Sequence, residues 1–94
     1  MKAEPIHEYV LGPHAAFELA RRGIGEEIVR WVLEAPEQRL QVRPGRDILQ
    51  SRLTLQPEGK TYLIRVFVDV DREPTDVVTA YRTSRIDKYW RQER

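Results

Sequence analysis

With 94 residues, 40% of them hydrophobic and 33% charged, the chain suits one small globular domain with a single modest core and little room for a buried cofactor. The absence of cysteine excludes disulfides and thiolate metal sites, and a net charge of +1 excludes a polycation that coats nucleic acid by charge alone. No cationic segment leads into an apolar run and no apolar stretch nears membrane-spanning length, so a soluble, cytoplasmic protein without membrane contact is expected.

Residues 13 to 22 place Ala16, Phe17, Leu19 and Ala20 at helical spacing, between an opening Gly12-Pro13 and a closing Arg21-Arg22-Gly23. A second helix begins after Gly25, with Glu26 and Glu27 in its positive first turn, and repeats Ile28, Trp31, Val32 and Ala35 until Pro36 stops it. Ile24 is placed to staple onto Val29 across that start. His7 and His14 have no third ligand nearby, so neither a metal site nor a cofactor is expected.

The pattern then turns to alternation. Arg39 to Arg43 reads as a short edge strand ending at Pro44-Gly45, and Asp47 to Gln56 as a second strand closed by the turn Pro57 to Lys60. Tyr62 to Val70 is the most apolar run and reads as central, with Tyr62, Ile64, Val66, Val68 and Val70 on one face and Leu63, Arg65, Phe67 and Asp69 on the other. After the turn Asp71 to Pro74, Asp76 to Thr83 forms the last strand, and Ser84 is placed to cap a short helix through Arg91. The predicted fold class is α+β: two N-terminal helices packed on a three- to four-stranded antiparallel sheet, with a short C-terminal helix, as one domain over residues 1–94.

One sheet face is then open. Arg52, Arg65 and either Tyr81 or Arg82 project from neighbouring strands, so that cations converge. Arg65 lies in an apolar strand and must either pair with Asp47, Asp69 or Asp76 or bind a ligand phosphate. From Arg82 onward five basic residues stand against two acidic ones, whereas the first 81 residues hold eleven against thirteen. Cations interleaved with Tyr81, Tyr89 and Trp90 suit phosphate and stacked bases, or else a solvated helix whose rings pack on the sheet.

Five groups of residues together resemble a bacterial family of small domains of unknown function. They are His14-Ala15 to Arg22-Gly23-Ile24, Val32-Leu33 with Pro36, Gly45-Arg46, the strand Tyr62 to Val68, and the closing Val78-Thr79 through Tyr81, Thr83-Ser84 and Lys88-Tyr89-Trp90. The pattern is similar to RelE-like and BrnT-like toxins, and that resemblance implies helices on an antiparallel sheet whose basic and aromatic residues cut RNA. It also implies an antitoxin-like protein partner.

Cleavage of RNA needs a proton taken from a 2′-hydroxyl, cations around the phosphorane and a proton for the leaving 5′-oxygen. A metal-independent endoribonuclease would use Arg65, Arg82 and Arg46 at phosphate and His14 or Tyr81 for proton transfer. Arg46, Arg52 and Lys88 would hold the RNA backbone, and Tyr89 or Trp90 would stack on bases. No histidine pair or histidine–glutamate pair occurs at a recognisable spacing. The alternative is a non-catalytic module binding RNA through this surface, or protein by strand addition at Arg39–Arg43 or Asp76–Thr83. A homodimer with Trp31 and Trp90 in its seam is a third reading. A DNA-binding helix-turn-helix is disfavoured, because the second helix opens on two acids and carries Arg30 as its only cation.

Overall fold

The structure, a computed structural model, describes residues 3–92. Its elements run β1 (Tyr9–Leu11), α1 (Pro13–Arg21), α2 (Glu26–Glu34), β2 (Gln38–Arg43), β3 (Arg46–Leu55), β4 (Lys60–Asp69), β5 (Thr75–Thr83) and α3 (Ile86–Tyr89). The five strands form one sheet in the order β1-β5-β4-β3-β2.

The sheet corrects the expected fold class. It has five strands rather than three or four and is mixed rather than antiparallel, because β1 pairs parallel to β5 from Tyr9↔Thr75 to Leu11↔Val77. A three-residue strand holds too few positions to establish an alternation, so β1 left no periodic signal. Its presence also means that β5 is not an open edge along Thr75–Val77. Beyond that point Arg22 covers β5, donating from Nη1 to Thr79 Oγ1 at 2.9 Å and to the Ala80 carbonyl at 3.0 Å. Strand addition at Asp76–Thr83 is thereby obstructed, whereas β2 remains a sheet edge.

Both predicted N-terminal helices form. α1 closes in a Schellman arrangement: Gly23, at φ +68, donates to Ala20, and Ile24 donates to Leu19. The reversal buries Ile24 beside Leu19 and aims the chain directly into α2. Leu19, Ile24, Val29, Val32 and Leu33 pack with Leu49, Ile64, Val66, Val68, Val77 and Ala80 of the sheet in one cluster. These strand residues share a face because Leu49↔Val66↔Ala80 form one row, and the bulge at Phe67/Val68 brings Val77 opposite Val68. The expected C-terminal helix through Arg91 is only one turn long, and Arg85, not Ser84, stands at its start without a side-chain cap. No helix among the described residues is long and apolar enough to cross a membrane.

Turn chemistry sets the β2–β3 hairpin. Gly45 sits at φ +87, in the left-handed region that favours glycine, beside the exposed carboxylate of Asp71. Next to it Arg46 forms a two-point ion pair with Asp69, Nε to Oδ1 at 2.7 Å and Nη2 to Oδ2 at 3.0 Å. Those hydrogen bonds hold the Asp69 carboxyl below the usual carboxylate range. A carboxyl depressed on folding stabilises fully above its unfolded value, near pH ~4, and loses that contribution as pH falls through the folded value. Asp69→Asn is therefore expected to lower the urea midpoint at pH 7 and to narrow the difference between the midpoints at pH 7 and pH 3. An unchanged difference would show that the pair contributes nothing to acid sensitivity.

Candidate functional site

The sheet face away from α1 and α2 carries a cross-strand row of four polar side chains. Gln38, Gln50, Arg65 and Tyr81 stand opposite one another in register across β2, β3, β4 and β5. They are hydrogen-bonded in sequence: Gln50 Nε2 donates to Gln38 Oε1 at 2.8 Å, Arg65 Nε to Gln50 Oε1 at 2.8 Å, and Arg65 Nη1 to the Tyr81 hydroxyl at 2.7 Å. Period-two alternation puts them on one face, and the central position of β4 buries Arg65 to 7% exposure.

The expected aspartate partner for Arg65 is not there. Asp69 is taken by Arg46 and Asp47 by Arg39, whose Nε lies 2.8 Å from Oδ2. Asp76 stands opposite Asp69, four residues along β4 from Arg65, or about 13 Å at the rise of a strand. Among the described residues, Arg21, Arg22, Arg30, Arg39, Arg46 and Arg52 each have a carboxylate, while the buried Arg65 has none. Its charge is instead met by two neutral oxygens and by rings: Tyr89 at 4.4 Å, with Phe67 and Tyr81 at 5.8 Å. Nη2 makes no hydrogen bond among the described residues.

The other anticipated residues fall into different places. Arg82 stands opposite Ile64, on the helix-bearing face, exposed and 5.1 Å from the Tyr62 ring, so it does not converge with Arg65. The physical reason is adjacency: Tyr81 and Arg82 are consecutive in a strand and must point to opposite faces, and register selects Tyr81. His14 is exposed at the start of α1, beside a cavity of about 220 Å³ bordered by Asp69, Asp76 and Val77, away from the Arg65–Tyr81 pair. Arg46 is engaged by Asp69. Arg52 is engaged by Glu37, through Nε at 3.0 Å and Nη2 at 2.8 Å, and its guanidinium lies 4.2 Å from the Trp90 ring. Those hydrogen bonds lower the Glu37 pKa, with burial opposing. Lys88 is exposed, 5.3 Å from the Tyr89 ring, and Tyr89 and Trp90 are half-buried. Trp31 is exposed on α2, and the half-buried Trp90 ring lies against Arg52.

Sequence reasoning missed Gln38 and Gln50 as members of the site. Gln38 lies outside the predicted edge strand, and only the register of β2 on β3 joins it to Gln50. A groove of about 740 Å³ adjoins the β2 end of the row, bordered by Glu37, Gln38, Arg52 and Trp90. Among the described residues no group of three or more His, Asp or Glu side chains is disposed to hold a metal ion.

A small, mainly sheet domain with a buried arginine and a tyrosine meeting on one face is the class that fold and site define. The chain belongs to the DUF4258 family, whose model, described as a domain of unknown function, matches residues 11–82. That span contains all four residues of the polar row and ends before α3. No curated protein and no solved structure matches the chain, so the similarity to RelE-like and BrnT-like toxins is not shown.

Proposed function

We propose that the domain acts on RNA at the Arg65 face as a toxin-like, metal-independent endoribonuclease of the cytoplasm. The observation that supports this is the buried Arg65 guanidinium, without a carboxylate among the described residues and bonded at 2.7 Å to the Tyr81 hydroxyl. A cation with no carboxylate among the described residues suits a phosphate oxygen, and a hydroxyl bonded to the same guanidinium suits proton transfer beside it. In that chemistry the 2′-oxygen bonds to phosphorus as solvent takes its proton. The bond to the 5′-oxygen breaks, Tyr81 supplies the proton that this oxygen needs, and a 2′,3′-cyclic phosphate and a 5′-hydroxyl result. Arg65 Nη2 holds the charge on the non-bridging oxygens.

Incubation of the purified chain with mixed-sequence RNA and with ribosome-bound message, both in EDTA, tests this. New 5′-hydroxyl ends are expected, and Tyr81→Phe, which keeps the ring and removes the proton, is expected to slow cleavage about 100-fold or more. Intact RNA with the wild-type chain in both settings would end the ribonuclease reading. A second reading, a non-catalytic RNA-binding module, is favoured by the position of His14, which borders a separate cavity rather than the Arg65–Tyr81 pair; retained binding with no cleavage would establish it. An antitoxin-like protein covering the same face is the partner that the ribonuclease reading implies.

A further inference from the structure

The Arg65 face is occupied by the chain's own C-terminal segment. Gln50 Nε2 donates to the Tyr89 carbonyl at 3.2 Å. Gln38 makes a two-point contact with Arg91, donating from Nε2 to its carbonyl at 2.6 Å and accepting from its amide at 3.0 Å. The Tyr89 ring lies 4.4 Å from the Arg65 guanidinium and the Trp90 ring 4.2 Å from that of Arg52. α3 fully buries none of its residues, and the segment is held by amide hydrogen bonds, cation–ring stacks and an edge contact between the Tyr89 and Tyr81 rings, whose centroids lie 6.3 Å apart.

We infer that residues 85–92 form a displaceable strap over the Arg65 site, and that a nucleotide, a planar base carrying a phosphate, binds there by taking its place. This rests on the reading of the Arg65 face as the working surface. Each strap contact has a counterpart in that ligand class. A base offers a flat ring to the guanidinium in place of Tyr89, and carbonyl and N–H groups to the Gln38 and Gln50 amides in place of the Tyr89 and Arg91 backbone. The phosphate meets Arg65 Nη2. Because the strap carries no core residue, lifting it leaves the cluster under α1 and α2 intact. The row residues fall inside the family match and the strap outside it.

Apparent affinity for a ligand that needs the uncovered state is reduced by the fraction of molecules uncovered, so loosening the strap must tighten binding. Adenosine 5′-monophosphate is the probe, titrated into the full chain with Trp31→Phe, which leaves Trp90 as the only tryptophan. Addition of the nucleotide is expected to shift Trp90 emission to longer wavelength as the ring leaves Arg52. Tyr89→Ala is expected to bind about tenfold more tightly, and adding Arg65→Ala to remove the binding. The strap is refuted if Tyr89→Ala, folded by circular dichroism, binds the nucleotide no more tightly than wild type, or if binding leaves Trp90 unchanged. RNA left uncut while the nucleotide results hold would remove the nuclease reading alone; cleavage with unaltered nucleotide affinity would remove the strap alone.

Discussion

Arg65→Ala is expected to lower the unfolding free energy by about 3 kcal/mol, the net of two lost hydrogen bonds to a charged donor and the relief of its burial. Gln50 Oε1 and the Tyr81 hydroxyl both lose their donor, and the Tyr89 ring loses the cation beneath it. Urea unfolding at pH 7 measures the loss. Arg65→Lys discriminates between charge and geometry, because a single ammonium cannot reproduce the fork that spans Gln50 and Tyr81. If lysine restores most of the stability, positive charge alone holds the row; if it behaves like alanine, the fork does. An alanine variant as stable as wild type would show that the row contributes little to the fold.

Leu33→Ala is expected to cost about 2–5 kcal/mol, the range for a large side chain removed from a packed interior. Leu33 is fully buried where α2 meets the sheet, and its carbonyl accepts a hydrogen bond of 2.8 Å from Ile6, so the same residue ties down the N-terminal segment. Phe17→Ala supplies the comparison. Phe17 is 64% exposed on α1, and its truncation is expected to change stability by no more than about 0.5 kcal/mol, although both residues lie on predicted helices. Equal losses at the two positions would contradict the placement of the core under α2.

Much of the local structure was legible because it is carried by short-range patterns. The helix over 13–22 ends one residue earlier in the structure, and the helix after Gly25 runs from Glu26 to Glu34. The edge strand at Arg39–Arg43 begins one residue sooner, at Gln38, and the apolar strand is the middle one of five. Of the candidate site, Arg65 and Tyr81 come together and Tyr89 lies over the arginine, while Arg82 and His14 stand elsewhere. Glu37 was not anticipated as the partner of Arg52, because the two are fifteen residues apart and meet only through the β2–β3 pairing.

What the sequence alone determined is each segment's type and the face each residue shares with its own neighbours, since a period of 3.6 or two and the demands of Gly23, Pro36 and Gly45 act within a few residues. Tertiary structure decided which rows meet. Register placed Gln38, Gln50, Arg65 and Tyr81 in one line, sent Asp69 to Arg46 and Asp47 to Arg39, and left the buried arginine to neutral oxygens and rings. It also laid β1 along β5 and the C-terminal segment over the row. Pairings of this kind depend on long-range closure and on competition among carboxylates for the same cations. A local pattern names the candidates, and only the assembled sheet selects among them.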